Sequence, residues 1–280
     1  MIAIAVSKEE LFMLLFQEKS GGLADPRSSA SGRASTHSAS NRPAGNPGLH
    51  FRSLGAPITL VALHEKNLEC CSCCPEESSL LRGNVVNKRR VEFALGRAAA
   101  RLALLGVGHP SPPPVLQRAG REPAWPNGIV GSITHCGAWA MAAAAKAESL
   151  KSLGIDLEDV EAVPHEEIAD LVCSDVEREW AFRGGNSKRK LAMLFSAKEA
   201  VYKALFPLCQ KFFDFHAIEL TWFPQSNSFR GVLREGLNLE FPVGYCLEIG
   251  CQHRANFVFT YATIPANGAT ASNAEDSSAT

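Results

Sequence analysis

No stretch of this 280-residue chain approaches the ~18 consecutive apolar residues that a membrane-spanning helix needs. Neither sign of charge dominates. There are 28 Lys and Arg against 29 Asp and Glu, a formal net charge of -1. A dedicated nucleic-acid binder would carry a basic domain or stripe, so that class is excluded, and nothing points to a membrane partner. The chain is 46% hydrophobic and 20% charged, which excludes wholesale disorder. It has no internal repeat and no continuous apolar leader. The opening MIAIAVSKEELFMLLF is broken by Lys8, Glu9 and Glu10, unlike a secretory signal. The serine- and arginine-containing stretch behind it also suits organelle import, but the cytoplasm is the expected location. Cys70-Cys71-Ser72-Cys73-Cys74 holds two overlapping Cys-x-x-Cys pairs but lacks a second Cys or His pair at zinc-site spacing. The other five of the nine cysteines sit among apolar neighbours and read as small buried thiols in a reducing compartment.

Residues 20–49 are dominated by Ser, Gly, Ala, Pro and Asn without apolar period, and residues 266–280 are similar. Such compositions bury too little apolar surface to offset their ordering entropy. The expected layout is a low-complexity leader over 1–55, two α+β halves over 56–150 and 151–265, and a tail over 266–280. Ile58–Leu63 reads as a strand. Val91, Leu95, Ala98, Leu102 and Leu105 form one apolar face of a helix over 88–105, stopped by Gly106. Trp139–Lys146 is read as a strand, although its alanines would also allow a helix. Ser152–Leu157 is another strand, and Ser174-Asp-Val-Glu177 has the form of a capping box. A second strong helix covers Leu191–Phe206. Strands follow at 218–223, 229–233, 245–249 and 257–263.

Three patterns carry chemistry. In Gly154-Ile155-Asp156-Leu157-Glu158 the strand alternation puts Asp156 and Glu158 on one face, about 6–7 Å apart, with Ile155 and Leu157 on the other. Paired carboxylates repel unless a cation or water intervenes, and oxygen donors of this kind suit Mg²⁺. In Phe195-Ser-Ala-Lys198-Glu199-Ala-Val-Tyr-Lys203 the helical period aligns Glu199 with Lys203, while Lys198 lies about 100° away from Glu199. Gly131-Ser132-Ile133-Thr134-His135-Cys136 sets two hydroxyls and an imidazole at a strand end. Taken singly, each is also the pattern of a solvated strand end, a surface ion pair or a structural histidine. On the first long helix Arg90, Arg97 and Arg101 share a face, and guanidinium forks suit phosphate oxygens.

Taken together and in this order, GSITHC, LGIDLE and FSAKEAVYKALFPL resemble the Sfp/EntD-type 4′-phosphopantetheinyl transferases. KRRVEFALGR at 88–97 and Pro123-Ala-Trp-Pro126 resemble that family too. The resemblance covers about residues 75–223 well, with weaker strand agreement to 263. It implies that family's fold, with two similar halves related by a pseudo-twofold axis in one chain, and coenzyme A in the cleft between them. It implies a Mg²⁺-dependent enzyme that moves the phosphopantetheine arm of coenzyme A onto a serine of an acyl or peptidyl carrier protein. Adenosine 3′,5′-bisphosphate is the leaving group, and the enzyme is expected to be a monomer. By the resemblance, Asp156, Glu158 and Glu199 hold Mg²⁺, Glu199 is the general base, and Lys203 and Lys198 contact phosphates. His135 lies near the 3′-phosphate with Ser132 and Thr134 beside it. The family pattern points to Arg97 and Arg89, whereas helix geometry prefers Arg90 to Arg89 as the partner of Arg97. One departure is Gln117, where many relatives carry a basic residue; Arg118 and Arg121 are near enough to replace it. Two other readings remain beside this one: a coenzyme A- or carrier-binding module without turnover, and another magnesium-dependent phosphoryl-transfer enzyme.

Overall fold

The alanine-rich run at 139–146 is a strand because it lies at the centre of a sheet buried on both faces. Met141, Ala143 and Ala145 face one apolar layer, and Ala142 and Ala144 face another. Small side chains let both layers come close, and that packing overrides local helix propensity.

The computed structural model describes residues 49–53, 56–66, 73–81, 83 and 85–266. In chain order the elements are β1 (Leu49–Ser53), β2 (Ala56–His64), α1 (Pro75–Ser78), α2 (Asn87–Gly106), β3 (Leu116–Gln117), β4 (Pro123–Ala124), β5 (Ile129–Cys136), β6 (Trp139–Lys146) and β7 (Leu150–Asp159). Then follow α3 (His165–Val172), α4 (Asp175–Phe182), α5 (Ser187–Cys209), a 3₁₀ turn at Phe215–Ala217, β8 (Ile218–Phe223), β9 (Ser228–Leu233), β10 (Cys246–Arg254) and β11 (Phe257–Pro265). β1 pairs antiparallel with β2, with Phe51 opposite Ile58. Leu49–Ser53 lies within the segment expected as leader and pairs with this partner strand. Residues 1–48 and 267–280 lie outside the described residues, as do Cys70 and Cys71 of the cysteine cluster.

Two large antiparallel sheets result, in the orders β1-β2-β6-β5 and β7-β11-β10-β9-β8, with β3 and β4 paired as a third, two-stranded one. Each large sheet carries one long helix, α2 on the first and α5 on the second. The sheets share an apolar layer in which Leu153, Ile155 and Leu157 of β7 pack against Ile58, Leu60 and Met141.

The two halves repeat one polar arrangement. Ser174 caps α4 and forms the expected capping box with Glu177. Glu177 is fully buried. Its Oε2 accepts Lys198 Nζ from α5 at 2.7 Å, and its Oε1 accepts the backbone N–H of Leu220 at 2.7 Å. In the first half Cys74 stands at the cap position of α1 and Glu77 three residues on. Buried Glu77 accepts Arg101 of α2 through Oε2 and the N–H of Val115 through Oε1 at 3.0 Å. In each half one glutamate thus ties a short helix to the long helix and to the backbone that follows.

Gly154 brings the second helix onto its sheet. A Cβ there would fall on the carbonyl oxygen of Ala200 and 2.6 Å from the N of Ala204, both backbone atoms of α5. Neither can move alone, so Gly154→Ala must lift the helix from the strand. We expect it to destabilise the protein by about 1–3 kcal/mol or more, read as a lower urea midpoint at unchanged m-value.

Candidate functional site at the junction of the two halves

The close crossing of α5 over β7 decides which side chains meet. Gly154, Asp156 and Glu158 share one face of β7, and the helix residues flanking Ala200 bring Glu199 and Lys203 to it. Asp156 is 3% exposed. Its Oδ1 accepts Lys203 Nζ at 2.6 Å and the hydroxyl of Thr134 at 3.0 Å. Lys203 Nζ also reaches the carbonyl of Ile155 at 3.3 Å and Thr134 Oγ1 at 3.4 Å. Asp156 Oδ2 is buried and has no hydrogen-bond partner.

Glu158 is pushed up to about 8, first by burial and then by the charge of Asp156, against a smaller opposing pull from Lys203. Burial also raises Glu199, with Lys203 opposing and Asp156 adding to the rise. Three carboxylates thus act on one another's protonation, with one ammonium as counter-charge. Among the described residues no three His, Cys, Asp or Glu side chains already stand as a metal cage. The donors nevertheless fit a hard divalent cation. All are carboxylate oxygens, one buried oxygen is unpartnered, and their mutual repulsion is the kind that such an ion relieves.

The GSITHC segment lies on β5 and is held to β7 by its hydroxyls. Ser132 Oγ accepts the N–H of Ile155 at 3.1 Å, and Thr134 bonds Asp156 as described. Both are 4% exposed and bond β7 through their hydroxyls, and Ser132 also lines the cavity described below. His135, at the strand end, accepts Arg89 Nη1 on its Nε2 at 2.8 Å, and Glu92 lies 4.0 Å from its Nδ1. Burial, then the Arg89 and Lys203 charges, lower its affinity for a proton, although Glu92 opposes them.

The arginine set separates. Arg89, not Arg90, meets His135, since Arg90 Nε donates back to the carbonyl of Val85. Arg97 is buried with its guanidinium 4.6 Å over the Phe93 ring and its Nε unpartnered, and burial lowers its pKa. Arg101 is taken by Glu77. Helix periodicity placed these residues on one face; the buried acid on α1 draws Arg101 out of the set.

Lys198 is a correction. Its ammonium is fully buried and donates to Glu177 Oε2 at 2.7 Å, Val172 O at 2.7 Å and Phe215 O at 2.9 Å. All three protons are satisfied inside the second half, so none is left for a phosphate.

Beside the carboxylates a cavity of about 410 Å³ opens between the halves. Glu199, Lys203, Ser132, Arg118 and Arg121 line it, together with Trp125, Tyr202 and Phe206; Gln117 does not. The three aromatics and Lys151 were missed as site residues. All three rings sit inside the sequence patterns, but nothing in an isolated sequence says that they wall a cavity rather than fill a core.

Two measurements check this geometry. Lys198→Ala should cost about 3–5 kcal/mol of unfolding free energy by leaving Glu177 charged and unpaired in the core, read by urea titration. The raised pKa of Glu158 also sets a slope. An unfolded carboxyl ionises near 4.5 and the folded one near 8, so the folded state holds the extra proton in between. Stability of the metal-free protein should therefore fall as pH rises from about 4.5 to about 8, and Glu158→Gln should flatten that fall in thermal unfolding.

Known proteins resemble this chain in part. The 4'-phosphopantetheinyl transferase N-terminal domain model matches residues 76–145, and the 4'-phosphopantetheinyl transferase superfamily model matches residues 152–262. The chain is 36% identical over 180 residues to 4'-phosphopantetheinyl transferase PptT of Mycobacterium tuberculosis, across 60% of this chain and 75% of that protein. It is 41% identical over 160 residues to 4'-phosphopantetheinyl transferase Svp of Streptomyces mobaraensis, across 55% of this chain and 63% of that protein. Among solved structures, holo-[acyl-carrier-protein] synthase (AcpS) of Thermotoga maritima is 19% identical over 40% of this chain and 61% of that chain, at a TM-score of 0.33. With one family model on each half and a relative matched over three quarters of its length, the chain belongs to the 4'-phosphopantetheinyl transferase superfamily.

Proposed function

We propose that this chain transfers the 4′-phosphopantetheine arm of coenzyme A to a serine hydroxyl of an acyl or peptidyl carrier protein. The observation that carries the reading is the gathering of Asp156, Glu158, Glu199 and Lys203 beside a cavity shared by both halves. The serine oxygen forms a bond to the pantetheine-side phosphorus, the pyrophosphate P–O bond breaks, and adenosine 3′,5′-bisphosphate leaves. Such a reaction asks for positioned charge more than for covalent chemistry.

Glu199 is the proposed acceptor of the serine proton. Its raised proton affinity suits that task better than an ordinary surface carboxylate would. Lys203, whose side chain is 27% exposed, can hold a pyrophosphate oxygen from the ammonium that now bonds Asp156. Asp156, Glu158 and Glu199 would hold Mg²⁺, whose charge offsets that of the pyrophosphate when bound. The Arg89–His135 pair, half-exposed at the end of β5, offers donors to the 3′-phosphate. Arg118 and Arg121 suit the nucleotide phosphates, and the walls of Trp125, Tyr202 and Phe206 suit the pantetheine chain. Buried Arg97 adds positive potential behind Arg89.

Both halves of the cleft come from one chain, which supports action as a monomer. Buried thiols such as Cys136 and Cys251, each pushed up to about 12 by burial, are unreactive and fit a reducing compartment such as the cytoplasm. Among the described residues no helix is long and apolar enough to cross a membrane.

A panel of acyl and peptidyl carrier proteins, incubated with this protein, coenzyme A and magnesium, should gain the mass of one phosphopantetheine on the acceptor serine. EDTA should abolish the gain, and Glu199→Gln should slow it by about 10²–10⁴-fold. Coenzyme A binding without a mass shift on any carrier would return the chain to the binding-module reading.

A further inference from the structure

We infer that Thr134 is a positioning residue of this site, whose hydroxyl makes the two oxygens of Asp156 inequivalent and reserves one of them for the cation. The inference rests on the transferase reading and deepens it. A threonine hydroxyl has one hydrogen and two lone pairs. Thr134 donates that hydrogen to Asp156 Oδ1 at 3.0 Å and faces Lys203 Nζ as an acceptor at 3.4 Å. Lys203 completes the triangle on the same oxygen at 2.6 Å. Two donors therefore converge on Oδ1, while Oδ2 of the same buried carboxylate receives neither of them. A carboxylate held this way cannot exchange its oxygens by rotation without breaking both bonds.

The hold comes from the other half of the molecule. β5 pairs in its sheet with β6, and β7 with β11, so no backbone ladder joins β5 to β7. Their link at this point is through side chains: Ser132 Oγ on the N–H of Ile155 and, two residues on along the same face, Thr134 on Asp156. Ser132 sets the position of β5 along β7, and Thr134 carries that position to the carboxylate. At 4% exposure, with its one hydrogen given to Asp156, Thr134 has none to offer a phosphate.

Thr134→Val keeps the shape and removes the hydroxyl; Thr134→Ser keeps the hydroxyl. Groups that orient metal-binding residues typically cost 10–100-fold in affinity or activity when removed. In magnesium titrations followed by thermal shift, without coenzyme A or carrier, Thr134→Val should need about 10–100-fold more Mg²⁺ for half-maximal stabilisation. Thr134→Ser should stay close to the parent. In the carrier assay at saturating magnesium, Thr134→Val should lower kcat with little change in the KM for coenzyme A. Unchanged magnesium dependence in Thr134→Val overturns the inference. So does a raised KM for coenzyme A at unchanged kcat, the mark of a lost phosphate contact. Should Thr134→Val not fold, Thr134→Ala takes the same two measurements. A parent protein that modifies no carrier would sink the transferase reading, yet the magnesium titration would still decide the role of Thr134.

Discussion

Everything at the junction depends on how closely α5 lies on β7. At Gly154 the helix backbone rests on the strand with no side chain between them. That contact brings Lys203 within 2.6 Å of Asp156 and sets Glu199 on the same cavity wall. A side chain at position 154 would push the helix off the strand next to the point where Lys203 meets Asp156. The glycine of LGIDLE thus belongs to the chemistry through packing alone.

The electrostatics follow from this crowding. Three carboxylates in a part-buried layer repel one another, and Glu158 responds by holding its proton to about pH 8. One ammonium relieves part of the strain, and the unpartnered oxygen of Asp156 shows what it leaves unsatisfied. A site with surplus negative charge suits a cation better than a bare anion. Arg89, bonded to His135, and buried Arg97 add positive charge from the first half to that of Lys203 from the second.

Each half stands on a buried glutamate. Glu77 and Glu177 take the same two kinds of partner, a cation on the long helix and a backbone N–H beyond it, and Glu177 also holds the start of its own helix. The cation is Arg101 in one case and Lys198 in the other. This repetition explains why one lysine of the FSAKEAVYKAL pattern is structural while Glu199 and Lys203 line the cleft. The helix turns about 100° per residue, so adjacent positions serve different masters.

The elements were largely legible, because they follow from short-range rules. Apolar period marked α2 and α5, alternation marked β8 to β11, and Ser174 with Glu177 announced the start of α4. β1 was not legible, since a polar segment becomes a strand only when a partner edge is offered. The acidic pair and the Glu199–Lys203 alignment could be read from strand and helix periods, which act over a few residues. Four matters lay beyond any local rule: the burial of Lys198, the choice of Arg89 over Arg90, the aromatic cavity walls, and the grip of Thr134 on Asp156. Each depends on what packs opposite, and residues distant in the chain meet only once both sheets have closed on their shared apolar layer. The sequence by itself determined which groups could act and along which strand and helix faces; the tertiary structure alone decided which of them meet, because burial and hydrogen-bond partners are properties of the assembled layers.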